Sequence, residues 1–305
     1  SGMSDRLAAA EAALKAGRGP EAIDHLIAAI DEDRARSVQV YRVLVLQLYR
    51  AGRFAEGEAW SAKAAERFPR DFDVWNVRGV ILRQLKRYPE AVTALEQAIK
   101  LNPKNVAPYS NLGNVLMDMG DYPRAEQVFT RLVRQSPRDA EMQRQLGRAL
   151  LRQGRRDQAI VRFRQAVTVD KAAIEAWMDW IGTLNEEHRA REAEEVMDRA
   201  IAANPDNVRL LEAKAVVIRR GGELRRAEAY LLDLLPRFEN AAWLHYQLGG
   251  VVSDFDRPRA NIHLRRAVEL EPGKLDYRMA LIESLERTRT GDEGANIEES
   301  YQLVR

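Results

Sequence analysis

Cysteine is absent from the 305-residue sequence. No disulfide, thiolate metal site or cysteine nucleophile can form, and the composition fits a cytoplasmic protein. An excess of one charge is missing too: 48 basic residues against 46 acidic leave a net charge of +2. A dedicated nucleic-acid binder usually carries a strong basic excess, so nucleic acid is not the expected partner. No apolar run approaches the roughly 18 residues of a membrane helix, so no membrane is expected either. The start, MSDRLAAAEAALKAG, has charges and no long apolar stretch, unlike a signal peptide. Ser1-Gly2-Met3 reads as a tag scar ahead of a natural Met3.

The common enzyme signatures are also missing: no G-x-S-x-G, H-E-x-x-H, Walker loop or G-x-G-x-x-G occurs. Histidine is scarce. His25, His188, His245 and His263 stand far apart in sequence, and no two have the i, i+4 spacing of a helical zinc pair. The acidic pairs Asp71/Asp73 and Asp254/Asp256 fit helix caps. These absences predict no catalytic residue, no metal and no cofactor. Arginine, by contrast, is plentiful, at 40 residues against 8 lysines; this reads as the trace of a GC-rich, bacterial coding source.

What is present is periodic. With Phe72 as position 1 of a 34-residue repeat, position 8 reads Gly79, Gly113, Gly147 and Gly249. Position 20 reads Ala91, Ala125, Ala159, Ala193 and Ala227, and Ala260 follows after a one-residue deletion. Position 24 is apolar in the middle repeats: Leu95, Phe129, Phe163, Met197, Leu231. Position 32 reads Pro69, Pro103, Pro137, Pro205 and Pro272 or their equivalents, with Lys171 in one repeat. A fixed period of this length marks a repeat array. It predicts an array over 1–286 with repeats at 3–37, 38–71, 72–105, 106–139, 140–173, 174–207, 208–241 and 242–274, then a partial one at 275–286. Apolar residues at three- and four-residue spacing make each repeat two amphipathic helices, joined at GDY, GRF, KRY or GRR. Gly113 is expected to face Ala125, so that the two backbones approach closely.

Trp75, Gly79, Ala91, Ala98 and Pro103, then Tyr109, Leu112, Gly113, Ala125, Phe129 and Pro137, make the chain resemble the tetratricopeptide repeat (TPR) family. The resemblance implies an all-α fold, a right-handed α-solenoid superhelix whose first helices line the concave face. It also implies a protein-protein interaction module that binds an extended polypeptide partner. Residues 287–305 depart from the repeat. Ile297, Tyr301 and Val304 lie on one helical face, as in a capping helix, which is compatible with a link into a further domain.

In this fold positions 2, 5, 6, 9, 12 and 13 of the first helix point into the groove. Asn111, Gln145 and Asp179 at position 6 form a polar line, which Asn114 and Arg148 at position 9 and Arg144 at position 5 broaden. An amide both donates and accepts, so it can pair with a peptide backbone of any sequence. Trp243, Tyr246 and Gln247 form a second expected contact, and Trp177 and Trp180 are expected in the core. Basic Arg144, Arg148 and Arg152 give way to acidic Glu175, Asp179, Glu186 and Glu212, which would orient a charged peptide. The asparagine at position 6 looks like the arrays ahead of O-GlcNAc transferase-type glycosyltransferases, which makes a substrate-recognition arm of a modifying enzyme one reading. A stand-alone scaffold or chaperone adaptor is the second. An RNA-binding repeat is the third: Arg152, Arg155, Arg156, Arg162 and Arg164 invite it, but Arg155 and Arg156 lie in the turn and Arg162 and Arg164 on the second helix, and acidic Glu175, Asp179 and Glu212 disfavour it.

Overall fold

A computed structural model describes residues 2–32, 37–289 and 303. Among these are seventeen α-helices and no strand, an all-α solenoid of helical hairpins. In order they are α1 (Gly2–Lys15), α2 (Gly19–Glu32), α3 (Val38–Arg50), α4 (Phe54–Arg67), α5 (Phe72–Gln84), α6 (Tyr88–Leu101), α7 (Ala107–Met119), α8 (Tyr122–Gln135), α9 (Ala140–Arg152) and α10 (Arg156–Val169). Then come α11 (Ile174–Glu186), α12 (Ala190–Ala203), α13 (Val208–Arg220), α14 (Leu224–Leu234), α15 (Ala242–Val252), α16 (Arg257–Leu270) and α17 (Leu275–Arg289). The chain forms two compact units, Ser1–Asp179 and Trp180–Arg305. None of the described helices is long and apolar enough to cross a membrane.

Among the described residues four hairpins close on one interlocking pair, a glycine of the first helix against a large side chain of the second. A Cβ added at Gly113 would sit 2.6 Å from Cζ of Phe129, and one at Gly147 2.6 Å from Cε1 of Phe163. Gly79 and Gly249 stand the same way against Leu95 and Leu264. The sequence leads one to expect Gly113 to face Ala125; the atoms nearest its missing Cβ belong to Phe129 at position 24, while at Gly147 and Gly249 the position-20 carbonyls of Ala159 and Ala260 also lie within 3.2 and 3.4 Å. Repeat 38–71 reverses the volumes, with Val45 at position 8 and Ser61 at position 24, both buried. Repeat 174–207 departs from both patterns, with Ile181 and Met197 at the two positions, both buried.

Position 15 ends each first helix with positive φ in seven repeats: Gly17, Gly52, Lys86, Gly120, Gly154, His188 and Gly222. Most are glycines, which adopt the left-handed conformation without a Cβ clash. Repeat 242–274 is one residue short, and there Asp256 has φ −152° and caps α16 instead, accepting from the Arg259 amide.

The join between repeats is also periodic. Trp75 Nε1 donates to the Pro69 carbonyl at 2.8 Å, Gln143 Nε2 to Pro137 at 3.1 Å and Trp177 Nε1 to Lys171 at 2.9 Å. His245 Nε2 lies 3.0 Å from the Glu239 carbonyl in the same relation. Position 4 thus satisfies a loop carbonyl six residues back. The departure from proline at Lys171 is harmless to this bond, because the position contributes only its carbonyl. Trp177 and Trp180 are buried.

In the second unit, Leu211, Leu231, Leu244 and Leu248 centre one cluster. A second joins α16 and α17 through Leu264, Leu281 and Leu285, with Leu303 packed against it. A polar chain runs beside this core: Ser284 donates to Asn261, and Asn261 to Thr288. The expected capping face of Ile297, Tyr301 and Val304 lies outside the described residues.

Candidate functional site

First helices of the first unit are cross-linked by side chains 35 residues apart. Asn111 Nδ2 donates to Asn76 Oδ1 at 2.9 Å, Arg144 Nε to Asp179 at 2.7 Å and Arg83 Nε to Asp118 at 2.6 Å. One repeat plus one residue carries position 5 to position 6, or 12 to 13, of the next helix. The expected line of open amides and charges is thereby revised. Asn111 keeps an open Oδ1, Gln145 is turned to Glu141 on its own helix at 2.7 Å, and Arg148 reaches only Gln145 at 3.4 Å. Asn114 makes no side-chain hydrogen bond among the described residues and is half-buried. Arg144 is not a free groove charge: it sits among Asp179, Glu141 and Glu175. Asn76, the partner of Asn111, stands at groove position 5 of a repeat whose position 6 is the apolar Val77, so the polar line at position 6 did not reveal it.

Burial raises the Asp179 carboxyl above the usual aspartate range, ahead of the Arg144 hydrogen bond, which pulls it down. For Arg144 burial works against the charge, but the bond to Asp179 and the surrounding carboxylates prevail and hold the guanidinium more firmly charged. Arginine does not deprotonate in proteins, so the aspartate decides the pH response. A folded pKa above the unfolded one gives stability that is complete below the unfolded value and lost as pH rises through the folded one. Urea denaturation of Asp179→Asn, measured from acid to neutral pH, should therefore show the wild type losing ground to the variant across that window. Parallel curves would contradict this.

Second helices carry the arginines differently. Arg124 meets Glu96 at 3.0 Å, Arg155 meets Glu126 at 2.5 Å, and Arg87 meets Glu58 at 3.4 Å, each across a repeat. Forked guanidiniums suit such carboxylate pairs. The arginine excess thus has structural employment. Arg162 lies 3.4 Å from Gln143 Oε1, and Arg152 stacks over Tyr122.

In the second unit Tyr246 and Gln247 line a cavity of about 390 Å³ among α13, α15, α16 and α17. Trp243 does not join them. Its ring packs edge-on against Phe238 at 5.6 Å, on the flank of the core. Tyr246 stacks on Tyr277 at 4.8 Å. The second expected contact is thus reduced to Tyr246 and Gln247, joined by Arg219, Arg257 and Arg287. Sequence reasoning passed these over: Arg257 starts a second helix, and Arg287 follows the last full repeat. The histidines are also closer than expected, since the rings of His245 and His263 lie 5.9 Å apart. No group of three or more metal-ligating side chains is found among the described residues.

Models of the tetratricopeptide repeat match residues 7–69 and 110–178, and a further one matches 150–217. A TPR repeat model matches 79–120. The chain belongs to the tetratricopeptide repeat family. No curated protein matches it. Among solved structures, MamA 41-end from Desulfovibrio magneticus RS-1 is similar at 22% identity and TM-score 0.52, over 56% of this chain and 97% of that one. YrrB, described as a TPR protein with an unusual peptide-binding site, is 24% identical with TM-score 0.50, over 62% of this chain and 97% of that one. Another MamA structure aligns at 18% identity and TM-score 0.53, over 57% and 94%. These likenesses concern the fold.

Proposed function

We propose that the protein is an interaction module whose first unit holds an extended polypeptide along its first-helix face. The observation that carries this is the set of open polar groups there. Asn114 has no partner, Asn111 keeps its Oδ1, and Arg148 has one long bond, while the arginines around them are engaged. Asn111 and Asn114 stand on α7 and Arg148 on α9, the next first helix, so an extended backbone crossing the two meets open polar groups on both. The likeness to YrrB, a TPR protein with a peptide-binding site, supports this reading. The resemblance to glycosyltransferase-linked arrays rests on Asn111 alone, and that amide is tied to Asn76, so the generic reading is preferred. The chaperone-adaptor reading would need lysine beside Asn114 at position 5, where Ser110 stands.

A random peptide library displayed on phage supplies the probe. Each neutral hydrogen bond contributes about 0.5–1.5 kcal/mol net. The triple variant Asn111→Ala, Asn114→Ala, Gln145→Ala should therefore stay folded and bind selected peptides several-fold more weakly. Arg162→Ala with Arg164→Ala should leave binding intact. The opposite pattern would place the partner on the second helices and overturn the reading.

A further inference from the structure

The second-unit cavity, lined by residues of α13, α15, α16 and α17, holds charges that the fold does not use. Arg219, from the end of α13, makes no hydrogen bond or ion pair among the described residues. Its guanidinium lies across Gly250, where an added Cβ would stand 2.9 Å from Nη1. Arg257, at the start of α16, keeps Nη1 buried without a hydrogen-bond partner. A buried guanidinium N–H left unpaired is costly, and folding alone gives no reason to retain it. Arg287 completes the set and is bonded to Glu283 at 2.7 Å. Gln247, Ser253 and Tyr246 add neutral polar groups to the walls.

We propose that this cavity is an anion subsite that takes a carboxylate from an acidic polypeptide, between Arg219 and Arg257. The inference rests on the reading of the protein as a polypeptide binder and extends it to the second unit. Charge selects the ligand. Three guanidiniums face two carboxylates, Asp254 and Glu283, in the lining. The single positive surplus suits a monoanion, whereas a phosphate dianion would meet both carboxylates at close quarters. A cavity of about 390 Å³ admits an aspartate or glutamate side chain with its backbone. Guanidinium forks match carboxylate geometry, and such charge-assisted bonds are about twice as strong as neutral ones.

The test uses titration calorimetry at low ionic strength with acetylated, amidated hexaglutamate as probe. Capped hexaglutamine, uncapped hexaglutamine and a capped peptide with one phosphoserine are the comparisons. Hexaglutamate should bind and capped hexaglutamine should not. Arg219→Gln and Arg257→Gln should each weaken hexaglutamate about tenfold, with thermal melting confirming the fold. Gly250→Ala, which displaces the Arg219 guanidinium without changing charge, should weaken it by a smaller factor. Uncapped hexaglutamine binding as well as hexaglutamate, with the same arginine dependence, would assign the carboxylate to a chain end and uphold the site. The triple variant on the first unit should leave hexaglutamate affinity unchanged, which separates this result from failure of the first-unit reading. The proposal is overturned if hexaglutamate does not bind, if it binds independently of both arginines, or if the phosphopeptide binds more than tenfold tighter.

Discussion

Phe129→Ala should destabilise the first unit by about 3–5 kcal/mol, the usual range for removing a large aromatic from a core. The ring is fully buried and fills the seat that Gly113 leaves open. Gly113→Ala in the wild type places a methyl 2.6–2.7 Å from ring carbons, and such overpacking costs about 1–3 kcal/mol. In the Phe129→Ala background the ring is gone, so the same methyl should cost almost nothing. Urea midpoints of the four proteins form a double-mutant cycle whose coupling should be about 1–3 kcal/mol. Additive effects would mean that the glycine does not serve the ring. A further check comes from repeat 38–71, where Val45 and Ser61 hold the reversed arrangement.

Arg144→Met should cost about 1–3 kcal/mol at neutral pH. The change removes the bonds to Asp179 at 2.7 Å and Glu141 at 3.2 Å and leaves three carboxylates facing one another. Fully buried pairs cost more when broken. The Asp179 side chain, however, is 26% exposed, and solvent screens part of the repulsion. The loss should shrink at acid pH, as the carboxylates take up protons. Arg144→Met with Asp179→Leu should recover much of it, since a well-packed apolar pair often matches a buried ion pair. If the double variant is less stable than Arg144→Met alone, the carboxylate is stabilised by groups other than Arg144.

The helices and their order were legible because position 8, position 20 and position 24 are constrained jointly, and a period of 34 repeats that constraint many times. Trp177 and Trp180 followed from helical spacing alone. The candidate site was less legible. Which position a groove residue holds says where it points, but not whether a neighbouring repeat already binds it. Asn111 and Asp179 occupy the expected positions, and both are taken by side chains 35 residues earlier. Trp243 also has a groove position, yet Phe238, in the preceding loop, draws it to the core. Arg257 gave no signal because it belongs to the second helix of a repeat shortened by one residue, where the turn geometry changes.

The 35-residue links make the helical hairpin a poor unit of exchange. Grafting 72–105 elsewhere would carry away Asn76 and Arg83 but leave behind Asn111 and Asp118, stranding both halves of two bonds. A transplantable cassette has to contain both of the first helices that a link joins, or else bring matched residues at positions 5, 6, 12 and 13. Duplication and shuffling of such repeats are thus filtered by compatibility between neighbours. A designer extending the array should treat those four positions as a lock and key carried by adjoining modules.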